Sequence, residues 1–156
     1  MNQDIYIGIL GAHSCDESIA EIAETTGSLI ANSSAILVCG GKGGVMEAAC
    51  RGSRDAGGTT IGILPGNDPE EGNPYLTYRI LTGLGEGRNM IIIRSVDAAI
   101  AISGSYGTLS EIALCLRAGV PVVSLKSWDI PGMELITDSP EKAVELVIKK
   151  AKEKNE

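Results

Sequence analysis

Phenylalanine is absent from the 156 residues, one histidine is present, and glycine is abundant at 20. Small residues therefore stand where backbones approach each other or a ligand. The single His13 and the lack of any Cys/His cluster exclude a metal site. The four cysteines, Cys15, Cys39, Cys50 and Cys115, are widely spaced, with no CxxC pair. They sit in apolar or Gly-rich contexts, as expected for reduced core or near-site thiols of a cytoplasmic protein. Positive charge is also scarce: the net charge is −7, which excludes a nucleic-acid backbone as the main partner. It does not exclude a small phosphate held by backbone N–H groups. The N-terminus, MNQDIYIGIL, lacks the basic region and long apolar segment of a signal peptide. No apolar run approaches membrane-spanning length. Linkers, repeats and low-complexity segments are missing too, so the expectation is one domain over residues 1–156.

What is present is a repeated pattern of short apolar run, glycine turn and helix. Strands are expected at Ile5 to Leu10, Ala35 to Cys39, Thr60 to Leu64, Tyr78 to Leu81, Ala98 to Ile102 and Val120 to Leu125. Helices are expected at about Asp16 to Ala31, through Met46 to Ser53, over Gly87 to Ser95, and from Thr108 to Ala118. A last helix begins at Ser139-Pro140-Glu141, with Ser139 as N-cap and a stripe of Ala143, Val144, Val147, Ile148 and Ala151. Continuously apolar strands alternating with helices predict an α/β fold, a Rossmann-like open parallel sheet flanked by helices on both faces. The run Met90-Ile-Ile-Ile93 is apolar all round its helix. That predicts burial on several sides and a homo-oligomer, a dimer or a tetramer. Arg94 is expected to pair with Asp97 or with a neighbouring subunit.

Three strands end in unusual turns: Gly11-Ala-His-Ser14, Gly40-Gly-Lys-Gly-Gly44 and Ser103-Gly-Ser-Tyr-Gly107. In an open parallel sheet the ligand crevice lies beyond the carboxyl ends of the strands. Small residues there let a phosphate approach the main chain, and the next helix offers free N–H groups and a positive dipole end. The candidate ligand-binding residues are Gly11, Gly41, Lys42, Gly43, Gly44, Gly104, Ser105, Tyr106, Gly107 and Thr108. The glycines also suit tight turns and close helix–strand packing, and Lys42 also suits a solvated surface. GGKGG is not a P-loop, because Gly43 follows Lys42 where a Ser or Thr is needed. The first strand is followed by GAHSCD rather than G-x-G-x-x-G, and the second ends in Cys39 rather than a ribose-binding acid. NAD-dependent hydride transfer is thereby disfavoured.

Two blocks, CGGKGGVMEAACRGSRDAGGTTIGILPG (39–66) and EGRNMIIIRSVDAAIAISGSYGTLSEIALCLRAGVPVV (86–123), resemble the LOG family of phosphoribohydrolases, often mislabelled lysine decarboxylases. The shorter form looks closer to a sister branch that includes molybdenum-cofactor carrier proteins and many uncharacterised bacterial and archaeal proteins. The resemblance covers about residues 5 to 125. Arg88 falls on the family's arginine, Asp97 on its aspartate, and Gly104, Gly107, Thr108 and Glu111 on its glycine–threonine–glutamate positions. Asn89, Ser103 and Ser105 depart from the Lys, Pro and Gly found there. The resemblance implies that Arg88 and Glu111 are the catalytic pair cleaving the N-glycosidic bond of a nucleoside monophosphate.

Physically, Arg88 suits bidentate phosphate binding. Glu111 suits stabilising an oxocarbenium-like centre or positioning a water. Thr108-Leu-Ser-Glu111 also reads as a capping box at the start of a helix. Three functions stay open at this point. The first is a carrier for a phosphate-bearing nucleotide-like ligand, molybdenum cofactor being the case the resemblance suggests. The others are a nucleoside-monophosphate hydrolase and a ligand sensor. Specificity is expected to reside in the 66–76 loop and around Trp128.

Overall fold

In the computed structural model, residues 3–156 are described. Met1 and Asn2, the start of the segment read as lacking a leader, lie outside the described residues. The strands are β1 (Tyr6–Leu10), β2 (Ile36–Cys39), β3 (Thr60–Leu64), β4 (Tyr78–Leu81), β5 (Ala98–Ile102), β6 (Val122–Leu125) and β7 (Ile136–Thr137). The helices are α1 (Glu17–Asn32), α2 (Val45–Asp55), α3 (Arg88–Arg94), α4 (Tyr106–Ala118) and α5 (Pro140–Lys154). The strands form one sheet in the order β4-β3-β2-β1-β5-β6-β7, and every neighbouring pair is parallel. The chain runs outward from β1 to β4, then crosses back so that β5 lies on the other side of β1. That reversal opens a crevice at the carboxyl ends of β1 and β5.

Each central strand is apolar throughout because both of its faces are covered. Ile7 and Ile9 of β1, with Ile100 and Ile102 of β5, face a core shared with Ala23 and Ile30 of α1 and Val144 and Val147 of α5. Leu10, Ala99 and Ala101 point the other way, toward Ile92 and Ile93 of α3 and Ile112 and Cys115 of α4. The two-residue alternation of side chains thus supplies two cores from one continuous apolar run. Helices α1 and α2 pack with unusually close backbones. A Cβ on Gly27 would lie 1.9 Å from the Ala49 carbonyl oxygen, and one on Gly52 would lie 1.9 Å from that of Glu24.

The expected architecture is present, with local differences. Helix α4 begins at Tyr106, two residues before the expected Thr108, because Ser103 and Gly104 turn the chain in left-handed conformations (φ 49° and 95°). The short edge strand β7 carries no pattern that distinguishes it from a loop. Asp97 does not pair with Arg94. It accepts the Tyr6 N–H at 2.9 Å and lies 3.6 Å from the Lys154 ammonium. It therefore fastens β5 to β1 at the end of the sheet away from the crevice. Ile92 and Ile93 of the all-round apolar helix are buried within the chain, while Met90 and Ile91 stay half-buried. Four exposed large apolar side chains, Tyr78, Ile80, Leu81 and Leu84, lie on edge strand β4 and just after it. Among the described residues, no helix is long and apolar enough to cross a membrane.

Candidate functional site

A cleft of about 430 Å³ lies over the carboxyl ends of β1, β2 and β5. Its floor is apolar, with Ile9, Met46 and Ile92; its rim carries His13, Lys42, Glu86, Arg88, Asn89 and Glu111. The glycine turns after β2 and β5 therefore meet at one place, brought together by strands on either side of β1. Of the residues singled out from the sequence, Gly11, Lys42, Arg88, Ser105, Gly107, Thr108 and Glu111 line this cleft.

Gly41, Gly43, Gly44, Gly104 and Tyr106 do not, and each has a physical reason. Gly41 packs inward: its N–H donates to Cys39 Sγ at 3.3 Å and its carbonyl accepts from Asn73 N–H at 2.8 Å. Gly43 and Gly44 lie under the first loop, where a Cβ on Gly44 would come within 2.5 Å of the Ala12 carbonyl oxygen. Gly104 makes room for Thr108, whose Oγ1 would lie 2.1 Å from a Cβ there. The ring of Tyr106 is 80% exposed and stacks on Trp128, with centroids 6.1 Å apart.

The two helix starts differ. The first amide of α2, on Val45, donates to the Ala12 carbonyl at 3.0 Å, so the first loop already occupies part of that helix end. The amides of Tyr106, Gly107 and Thr108 in α4 have no acceptor among the described residues, and no side chain caps them. The positive end of a 13-residue helix thus opens toward the cleft wall. The loop before it is held from behind. Ser127 Oγ donates to the Ser103 carbonyl at 2.6 Å, and Trp128 Nε1 donates to the Ser105 carbonyl at 3.0 Å.

Thr108 and Glu111 do not form a capping box. The N-cap position is Ser105, which places Thr108 inside the first turn and Glu111 a full turn further on, facing the cleft. The Glu111 side chain has no hydrogen-bond partner among the described residues. Burial pushes its carboxyl up to about 7, an effect partly offset by the positive charge of Arg88. Arg88 is itself heavily engaged. Its Nε donates to Asn89 Oδ1 at 2.9 Å, and its Nη1 donates to the carbonyls of Gly40 and of Ile63, the latter at 2.6 Å. Burial lowers its pKa, partly offset by the charge of Glu111. Only its Nη2 donors remain for a ligand.

The sequence profile of the SLOG cluster4 family matches residues 4–155. The chain belongs to the SLOG cluster4 family. This SLOG cluster4 protein is 44% identical over 143 residues to an uncharacterized protein of Archaeoglobus fulgidus, covering 91% of this chain and 93% of that one. Among solved structures it is similar to the molybdenum cofactor binding protein of the phototrophic bacterium Rippkaea orientalis. That match has 35% identity and a TM-score of 0.87, covering 94% of this chain and 97% of the other. It is also similar to the molybdenum cofactor carrier protein of Chlamydomonas reinhardtii, at 32% identity and a TM-score of 0.86, covering 95% and 98%.

Sequence reasoning left several residues of the SLOG cluster4 cleft unassigned. Asn89 stood out only as a departure from a family pattern; it orients Arg88 and borders the cleft. Asn73 lies in the loop read as a specificity element. Its Nδ2 donates to the Lys42 carbonyl at 3.0 Å, so that loop supports the glycine turn rather than lining the cleft beyond Pro65. Glu86 and Gly85 form the rim through a short 3₁₀ turn.

Proposed function

We propose that this protein binds and carries a phosphate-bearing, nucleotide-like small molecule, with molybdenum cofactor as the specific candidate. The observation that carries the reading is the uncapped first turn of α4 at the cleft, three amides with no acceptor of their own. A phosphate placed there gains charge-assisted hydrogen bonds and the favourable end of the helix dipole. Arg88 Nη2 adds a fixed cation, and the apolar floor of Ile9, Met46 and Ile92 suits a flat heterocycle. The similar proteins of Rippkaea and Chlamydomonas, described as binding or carrying molybdenum cofactor, support the choice of cargo. At about 430 Å³ the cleft lies within the usual range of small-molecule sites.

A second reading, hydrolysis of nucleoside monophosphates, is favoured by one observation. Glu111 offers an unpartnered carboxyl that titrates near neutrality at the cleft wall. The engagement of Arg88 with two main-chain carbonyls and Asn89 favours the carrier instead, because it leaves that guanidinium little freedom to follow a changing charge.

The test is to mix the protein anaerobically with released molybdenum cofactor and measure molybdenum that co-elutes on gel filtration. A parallel sample with AMP is analysed for free adenine. Retained molybdenum without adenine release is the expected result. Steady adenine release that disappears in Glu111→Ala would establish the hydrolase.

A further inference from the structure

The Sγ atoms of Cys39 and Cys50 lie 3.6 Å apart, both side chains fully buried, directly beneath the glycine turn of the cleft. Cys39 ends β2 and Cys50 lies on α2, so the pair bridges the two elements between which residues 40–44 are strung. We infer that Cys39 and Cys50 are a thiol modification site that forms an internal disulfide with a hydroperoxide and thereby loosens the 40–44 turn.

The surroundings suit this chemistry. Cys39 Sγ accepts the Gly41 N–H at 3.3 Å and contacts the Cys50 thiol. The Cys50 thiol and the Gly41 N–H favour a thiolate at Cys39 against the opposing effect of burial, whereas the contact with Cys39 and burial keep Cys50 protonated. The 3.6 Å separation lets Cys50 resolve an oxidised Cys39. The turn above them is only half-buried at Lys42, Gly43 and Gly44.

The atoms balance as follows. The Cys39 thiolate attacks one peroxide oxygen, the O–O bond breaks, and the departing oxygen takes up the proton that Cys39 released, to leave as water or alcohol. Cys39 is then a sulfenic acid. The Cys50 sulfur attacks it, the S–O bond breaks, and the hydroxyl leaves with the Cys50 proton as water. Two thiols lose two electrons to one peroxide.

Closing the gap to a disulfide bond length of about 2.05 Å draws the sulfurs together by about 1.5 Å. Three contacts that hold the turn depend on this corner: Gly41 N–H on Cys39 Sγ, Asn73 N–H on the Gly41 carbonyl, and Arg88 on the Gly40 carbonyl. Asn73 also lies against Cys50. Oxidation therefore acts on the cleft through its floor.

The experiment treats the full chain carrying Cys15→Ser with hydrogen peroxide. Free thiols are counted in denaturant, and linked peptides are mapped by mass spectrometry. The count is expected to fall from three, Cys39, Cys50 and Cys115, to one, with the cross-link joining Cys39 to Cys50. Hydrogen exchange of the amides of residues 41–45 is expected to quicken at least tenfold and to return on reduction with dithiothreitol. Three surviving thiols under conditions that oxidise Cys15 in the unsubstituted chain would overturn the site, as would a cross-link to Cys115. A disulfide with unchanged exchange at 41–45 would overturn its coupling to the cleft. Neither readout depends on the cargo, so failure here is distinguishable from failure of the carrier reading.

Discussion

Arg88 and Gly40, 48 residues apart in the chain, are joined by a hydrogen bond from the guanidinium to the Gly40 carbonyl. The same Nη1 also donates to the Ile63 carbonyl at 2.6 Å. One side chain thus ties the carboxyl ends of β2 and β3, and the glycine turn leaves β2 from that tie. A Cβ on Gly40 would lie 2.8 Å from Arg88 Nη1, so the approach itself needs glycine.

Replacing Arg88 by Lys keeps the charge but cannot reach Asn89 and both carbonyls at once. The two buried carbonyls lose their donors, and hydrogen bonds to charged groups are worth about 1.5–3 kcal/mol each. We expect Arg88→Lys to lower the unfolding free energy by about 3 kcal/mol, measured by urea denaturation. If Arg88 served the ligand alone, stability would be unchanged and only binding would fall.

Glu111 predicts a pH dependence with a definite sign. Its carboxyl titrates near 7 in the folded chain, against an ordinary value of 4.5. Below about 4.5 both states hold the proton. Between about 4.5 and about 7 the unfolded chain releases it first, so stability falls as pH rises through that window. Glu111→Gln removes the descent. The variant is expected to be more stable than the parent by about 3 kcal/mol at pH 8, with the difference vanishing near pH 4. Urea midpoints across this range check it. An equal offset at every pH would show that burial does not perturb the carboxyl.

The contact between α1 and α2 depends on two glycines. Adding a methyl at Gly27 brings it to 1.9 Å from the Ala49 carbonyl oxygen, which is backbone and cannot swing aside. The helices must separate, and overpacking of this kind costs about 1–3 kcal/mol or more. Gly27→Ala is therefore expected to lower the melting temperature despite alanine's better helix propensity. Gly57→Ser, on the surface with nothing near its Cβ but a φ of +82°, is a control that reports backbone strain without a packing clash.

The open parallel sheet and its helices on both faces were legible because burial on both faces writes itself as continuous apolar runs. Thr60 to Leu64, Tyr78 to Leu81 and Ala98 to Ile102 are strands within the bounds read from the sequence. The meeting of the second and third glycine turns followed from their place at the carboxyl ends of parallel strands. What the sequence hides is set by contacts made at a distance. Thr108-Leu-Ser-Glu111 fits a capping box, yet the left-handed Ser103-Gly104 corner starts the helix earlier and turns Glu111 inward. The ties of Arg88 to carbonyls 25 and 48 residues away are hidden in the sequence, a separation that no spacing rule reaches. In place of the expected pairing with Arg94, Asp97 accepts the Tyr6 amide 91 residues away and ties two strands together.

Gly107 separates the phosphate site from mere packing. The other glycines of the turns are hemmed in by the chain: Gly11 by Val45, Gly40 by Arg88, Gly41 by Leu64, Gly44 by the first loop and Gly104 by Thr108. A Cβ on Gly107 meets nothing within 4 Å, and Gly107 has no positive φ. It lies in the first turn of α4 and lines the cleft. Packing therefore gives no reason for a glycine there, while an anion resting on the amides of residues 106–108 does, since it needs the space a methyl would fill. Gly107→Ala is expected to raise stability by about 0.5–1 kcal/mol, the usual gain for alanine over glycine inside a helix. The same change is expected to weaken binding of phosphate-bearing probes by at least tenfold. Urea denaturation gives the first quantity. Titration with molybdenum cofactor or AMP, followed by the fluorescence of Trp128 that is hydrogen-bonded to the Ser105 carbonyl, gives the second. A variant that gains stability and binds as well as the parent would move the anion away from the start of α4.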